Sequence, residues 1–254
     1  MVTGIVAGRL ALVTGAGSGI GRAACQVLSR EGATVIAADL NYDSAMETIK
    51  TIPLASGANA VGDHSAIELE VSQSASVQKA LDTAMEHYKA PPTIIVNSAG
   101  IVRDNWLLKM SEEDFDKVVA VNLKGTFLVM QTFAKALTAA SLPGSIINIS
   151  SIVGKYGNMG QVNYVGSKAG VVGMSRVAAL ELGKSNIRVN AILPGFIDTP
   201  IIKSVPEKVM KEFLARIPLG RQADPVEVGE LITYLASEKS SYVNGAVIDI
   251  AGGL

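Results

Sequence analysis

The sequence holds one cysteine, Cys25, and two histidines, His64 and His87. A single cysteine excludes a disulfide within the chain and any cysteine metal cluster. Two isolated histidines leave almost no material for a zinc site built on several His or Cys ligands, or for a Ser-His-Asp triad. Charge of one sign is also lacking: 22 Lys and Arg stand against 23 Asp and Glu, a net charge of −1. Such a balance supplies no general attraction to polyphosphate, so nucleic acid is not an expected partner. No apolar run approaches the roughly 20 residues that span a bilayer, and Met1 to Gly8 is too short and too weakly charged for a secretory signal. A soluble chain with no membrane span is expected.

Apolar content, by contrast, is ample. Of 254 residues 48% are hydrophobic and 18% charged, enough to bury a sizeable core and outside the composition of disordered chains. Short β-rich runs near 9–14, 33–38, 66–70, 93–97, 144–150, 186–192 and 246–250 alternate with segments of helical period near 19–31, 43–52, 74–89, 111–138, 161–184, 200–215 and 224–236. The alternation predicts an α/β fold: one domain over 1–254, a Rossmann-type doubly wound parallel seven-stranded sheet with helices on both faces. Pro53 to Ser65 reads as a surface loop, with His64 solvated rather than functional. Cys25, on the first helix, reads as a small buried apolar residue.

Directly after the first strand comes Thr14-Gly15-Ala16-Gly17-Ser18-Gly19-Ile20-Gly21, opening a helix. A dinucleotide site needs residues without Cβ where backbone turns sharply toward a pyrophosphate, and a helix N-terminus aimed at the negative charge; Gly15, Gly19 and Gly21 supply both. The next strand ends at Asp39, eighteen residues beyond Gly21. A carboxylate there accepts hydrogen bonds from the adenosine ribose and opposes a 2′-phosphate, and neither Ser18 nor Leu40-Asn41-Tyr42 offers a compensating cation, so NAD is expected over NADP. The competing role for Asp39 is a helix N-cap, which Asn41 or Asp43 would fill equally well.

Ser150-Ser151 closes the fifth strand, and thirteen residues after Ser151 comes Tyr164-Val165-Gly166-Ser167-Lys168 on an expected helix. Residues four apart share a helical face, so Tyr164 and Lys168 approach one ligand together, and a nearby ammonium would lower the phenol pKa from about 10 toward the working range. That is a usable acid and base. Gly15 to Gly21, Asp39, Asn97 to Gly100, Ser151 and Pro194-Gly195 all fall at the carboxyl ends of expected parallel strands, where doubly wound sheets bind ligands.

With these residues in order over nearly its whole length, the chain resembles the short-chain dehydrogenase/reductase family. The resemblance implies catalytic roles for Asn122, Ser151, Tyr164 and Lys168. It implies a dinucleotide held by Gly15, Ser18, Gly19, Ile20, Gly21, Asp39, Val71, Asn97, Ala99, Gly100, Pro194, Gly195, Ile197 and Thr199, with Tyr164 and Lys168 beside it; in the family, the lysine holds the nicotinamide ribose and the asparagine positions a water leading from the lysine to solvent. Asn97-Ser98-Ala99-Gly100 departs from the usual Asn-Asn-Ala-Gly, which touches a structural hydrogen bond only, and Glu70-Val71 stands where Asp-Val often contacts adenine.

Gly100 to Asn105, Met110 to Phe115 and Gly144 to Lys155 are similar to the family branches acting on 3-oxoacyl thioesters and 17β-hydroxysteroids. The expected reaction is therefore interconversion of a secondary alcohol and a ketone on one or both, with NAD. The alternative is an NAD-binding scaffold subunit of a hetero-oligomeric 3-oxoacyl reductase. Ala136 to Ser141 lacks the basic residues that bacterial carrier-protein reductases place after this helix, so an acidic carrier protein is a poor fit to this chain alone. A flap between Phe196 and Leu219, with Ile201, Ile202, Val205, Val209, Met210, Phe213 and Leu214, should cover the substrate. The resemblance also implies a homotetramer, or a heterotetramer with a second short-chain reductase, and a mitochondrial matrix location, the cytoplasm being the alternative.

Overall fold

The computed structural model describes residues 4–53, 61–200, 202 and 207–254. Its frame is a seven-stranded sheet, all parallel, in the order β3-β2-β1-β4-β5-β6-β7. The strands are β1 (Leu10–Thr14), β2 (Thr34–Asp39), β3 (Ser65–Glu68), β4 (Ile94–Asn97), β5 (Gly144–Ile149), β6 (Ile187–Pro194) and β7 (Val247–Ile250). Between them lie α1 (Gly19–Arg30), α2 (Tyr42–Thr51), α3 (Ser74–Tyr88), α4 (Glu112–Val119), α5 (Thr126–Ala139), a single turn α6 (Val153–Tyr156), α7 (Val162–Leu182), α8 (Glu207–Leu214) and α9 (Pro225–Ala236).

The central strands are near-continuous apolar runs because both faces of the sheet are covered. Alternate residues serve opposite layers. Ala11, Val13, Val35, Ile94, Val96 and Ile147 pack with Leu28 of α1 and Ile232 of α9. Leu10, Leu12, Ile36, Ile95 and Ile146 pack with Val77 of α3 and with Val129, Phe133 and Leu137 of α5. Each fully buried Leu, Ile or Val contributes about 1.5–3 kcal/mol. A one-residue slip of any central strand would exchange its two layers of contacts. Helix starts follow local chemistry: α9 begins with Pro225 at N1 behind a capping box formed by Asp224 and Glu227. Cys25 is buried on α1, as its apolar reading requires.

Two expectations change. The helix expected over 111–138 is three pieces, since α4 and α5 are joined by a π-helical turn over Ala120–Gly125. His64 is half-buried rather than solvated: its Nδ1 accepts from the Val35 N–H at 3.0 Å and its Nε2 lies 2.9 Å from the Pro53 carbonyl, so it ties Pro53 to β2. Most of the expected 53–65 loop, and Ile201 and Val205 of the flap, lie outside the described residues.

Candidate active site

The parallel sheet presents every strand's carboxyl end on one edge, and a cleft of about 710 Å³ opens there. Its floor is the turn after β1. Thr14 Oγ1 accepts from the N–H groups of Ser98 and Ala99, both at 3.2 Å, which binds the turns after β1 and β4 into one wall. Gly15 has φ +66°, and a Cβ on it would stand 2.8 Å from Ala99 Cα; one on Gly21 would stand 2.1 Å from the Gly15 carbonyl oxygen. Both glycines are therefore required by close backbone approach. Ser18 stands at the N-cap of α1 but makes no side-chain cap bond, leaving that terminus to attract negative charge. Asp39, at the end of β2, accepts from the Gly17 N–H at 2.9 Å and from the Asn41 N–H at 3.0 Å. The N-cap of α2 is Asn41, which accepts from the Ser44 N–H, so the capping role falls to Asn41 and Asp39 is left at the cleft.

A Cβ-free turn, an uncapped helix N-terminus and an acid at the end of the second strand suit a nicotinamide dinucleotide. The cleft is lined by Gly15, Ser18, Gly19, Ile20, Gly21, Asp39, Val71, Ala99, Gly100, Ser151, Tyr164, Lys168, Pro194, Gly195, Ile197 and Thr199. Two expected members sit behind its wall instead. Asn97 is buried, its Nδ2 donating to Asn148 Oδ1 at 2.8 Å. Asn122 is fully buried in the π-helical turn. Its Oδ1 accepts from the Ile101 N–H at 2.8 Å, and its Nδ2 donates to the Ile101 carbonyl at 3.0 Å and to Ser167 Oγ at 3.2 Å. Ser98 lines the cleft, and its backbone bond to Thr14 survives the departure from Asn.

Ser151 follows β5, while Tyr164 and Lys168 project from one face of α7. The helix is moored to β5 by Ser150, whose hydroxyl donates to the Lys168 carbonyl at 2.8 Å. Lys168 is buried, with Nζ donating to the Ile149 carbonyl at 2.8 Å and lying 5.6 Å from the centre of the Tyr164 ring. Burial pushes this lysine down to about 8. Burial pushes the Tyr164 phenol up to about 12, against the opposing influence of a hydrogen bond with Ser151. The lowering of the phenol expected from Lys168 is not seen: its Nζ is turned onto the Ile149 carbonyl and the ring, and burial governs the phenol.

Phe196, Ile202 and Phe213 of the expected flap line the cleft, whereas Asp104, Asn158 and Gln161, which also line it, were not revealed by spacing. These three come from two separate loops, and only the fold collects them.

Comparison with known proteins agrees with this geometry. A family model described as enoyl-(acyl carrier protein) reductase matches residues 15–254. The chain is 50% identical, over 96% of its length and 95% of the relative's, to a (3R)-3-hydroxyacyl-CoA dehydrogenase of Canis lupus familiaris. An estradiol 17-beta-dehydrogenase 8 of Callithrix jacchus is 57% identical over 52% of this chain and 99% of its own. A putative 2-deoxy-D-gluconate 3-dehydrogenase from Agrobacterium tumefaciens, solved with bound NADP, superposes with a TM-score of 0.88 at 32% identity, covering all of this chain and 98% of the other. A match that runs from the glycine turn to the last residue, on a sheet of this order, shows that the chain belongs to the short-chain dehydrogenase/reductase family and is an NAD(P)-dependent oxidoreductase.

Proposed function

We propose that the protein interconverts 3-hydroxyacyl and 3-oxoacyl thioesters, with NAD(H) as the cofactor. The observation that carries this reading is the pair of hydroxyls, Tyr164 and Ser151, hydrogen-bonded to each other in the cleft of a chain that matches a (3R)-3-hydroxyacyl-CoA dehydrogenase along nearly its whole length. When bound, the dinucleotide supplies or accepts the hydride at the reacting carbon. In reduction, Tyr164 Oη gives its proton to the developing alkoxide while Ser151 Oγ hydrogen-bonds the same oxygen; in oxidation Tyr164 takes the proton back. Lys168 adds positive charge beneath the site and would hold the nicotinamide ribose. Gly15 to Gly21 would hold the pyrophosphate, Asp39 the adenosine ribose, Val71 the adenine, and Pro194, Gly195, Ile197 and Thr199 the nicotinamide end. Asn122 acts as a positioning residue: its carboxamide is engaged by Ile101 and Ser167, and it holds the turn after β4 against α7.

A steroid is the second reading, favoured by the apolar side chains of Phe196, Ile202 and Phe213 in the cleft. The polar groups of Asp104, Asn158 and Gln161 facing the same space favour the thioester. Exposed Phe127 on α5 and Val177 and Leu180 on α7 support self-association, which light scattering would test against a tetramer. The deciding experiment follows absorbance at 340 nm, crossing NADH and NADPH with acetoacetyl-CoA, and NAD with estradiol. Turnover of acetoacetyl-CoA with NADH is expected. Estradiol oxidation alone would make this a steroid enzyme, and silence throughout would favour a scaffold subunit.

A further inference from the structure

Beyond Tyr164 the cleft has two unlike sides. One is apolar, carried by Phe196, Ile202 and Phe213. The other is a hydrogen-bonded chain: Asn158 Nδ2 donates to Gln161 Oε1 at 2.9 Å, and Gln161 Nε2 donates to Asp104 Oδ2 at 3.0 Å. The segments carrying these residues are stitched again by the backbone, the Asn105 N–H donating to the Gly160 carbonyl at 2.8 Å, and by Asn163, whose Nδ2 donates to the Arg103 carbonyl at 2.9 Å. Asp104 is exposed to solvent, yet it is held in place rather than swinging freely. Its neighbour Arg103 is turned toward Asp114, 3.9 Å away, and donates to the Val102 carbonyl. Among the described residues lining the cleft the charged ones are Asp39, Glu70, Asp104 and Lys168. Asp39 ends β2 and Glu70 follows β3, on the side of the cleft away from Tyr164, and Lys168 is turned onto the Ile149 carbonyl. Among the described residues, Asp104 is thus the fixed charge on the substrate side.

We propose that Asp104, held by Gln161, is a specificity-determining residue that disfavours anionic substrates, restricting the enzyme to keto compounds whose carboxyl group is masked as a thioester or other neutral acyl derivative. The inference rests on the proposed reaction and narrows its substrate class. A free 3-oxo acid carries a carboxylate two bonds from the ketone carbon, so seating the ketone at Tyr164 brings two negative charges into one half-enclosed space; a thioester brings none there. The field of Asp104 does reach this point, because it opposes ionisation of the Tyr164 phenol.

Acetoacetate and ethyl acetoacetate share the ketone and differ in that charge. Asp104→Asn removes the negative charge while keeping an oxygen for Gln161 to donate to. The ratio of kcat/KM for ethyl acetoacetate over acetoacetate should fall about five- to tenfold in Asp104→Asn, and the wild-type ratio should shrink with added salt. A ratio unchanged within twofold overturns the proposal. If the wild type reduces neither ketone, binding decides the filter, and the proposed reaction itself fails only where acetoacetyl-CoA is not reduced either. Butyrate and butyramide are titrated onto the NADH-loaded protein and followed by dinucleotide fluorescence. A preference for the amide that Asp104→Asn erases upholds the filter; equal binding of the two by the wild type overturns it.

Discussion

The side-chain amide of Asn122 grips both backbone polar groups of Ile101, accepting from its N–H at 2.8 Å and donating to its carbonyl at 3.0 Å. This ring fixes the turn after β4, which forms the wall of the cleft between Ala99 and Val102. Asn122→Ala leaves a part-buried donor and acceptor without partners, at a cost of about 2–4 kcal/mol. Thermal unfolding should fall by about 5–15 °C, and kcat/KM should fall with it. An unchanged melting temperature would show that the ring carries no stability.

Tyr164→Phe keeps the ring and removes the proton donor. Turnover at 340 nm should drop by about 10²- to 10⁴-fold with little change in melting temperature. Retention of wild-type turnover by the folded variant would remove Tyr164 from the chemistry.

Lys168 gives a pH signature in stability. In the unfolded chain its pKa is near the ordinary lysine value of about 10.5, and in the fold burial lowers it to about 8. Below pH 8 both states carry the proton and the buried charge is a constant cost; between 8 and 10.5 the unfolded state binds more protons, so stability rises with pH relative to a chain lacking the group. Lys168→Met should therefore be more thermally stable than wild type at pH 6–7, with the difference narrowing toward pH 10. Activity should be lost in the variant, and wild-type kcat/KM for reduction should decline as pH passes about 8. A stability difference that stays flat from pH 6 to 10 would mean that burial does not perturb this amine.

At the far end of the cleft, Asp39→Ser removes the charge that a 2′-phosphate would face. The NADH over NADPH ratio of kcat/KM should fall by about tenfold or more, mostly through a lower KM for NADPH. A wild type already favouring NADPH would reverse the assignment of NAD.

The strands were legible because burial on both faces writes them as unbroken runs, Ala11 to Val13 or Ile94 to Val96, that need no knowledge of partners. The glycine turn and the Tyr164–Lys168 spacing were legible because each is local to one turn or one helix. Asn122 was identified as important, but its partner Ile101 lies 21 residues earlier, and a π-helical turn inside a helical pattern leaves no mark on periodicity. Asp104 and Gln161 are 57 residues apart and meet only when the β4 turn folds over α7. His64 looked solvated because its loop is polar, although the groups it serves, Val35 and Pro53, are backbone atoms that any residue would have supplied.

Gly15 rests against the backbone of Ala99, and β1 pairs on one side with β4, Thr14 opposite Asn97. For a chain emerging from a ribosome this sets an order of events. The first three strands can pair among themselves, but the glycine turn has no backing until residue 99 has been made, and Ser151 and Tyr164 come later still. The dinucleotide pocket is thus an output of contacts distant in sequence, the kind that close slowly. Added NAD(H) should accelerate the last stage of refolding and leave the early collapse unaffected.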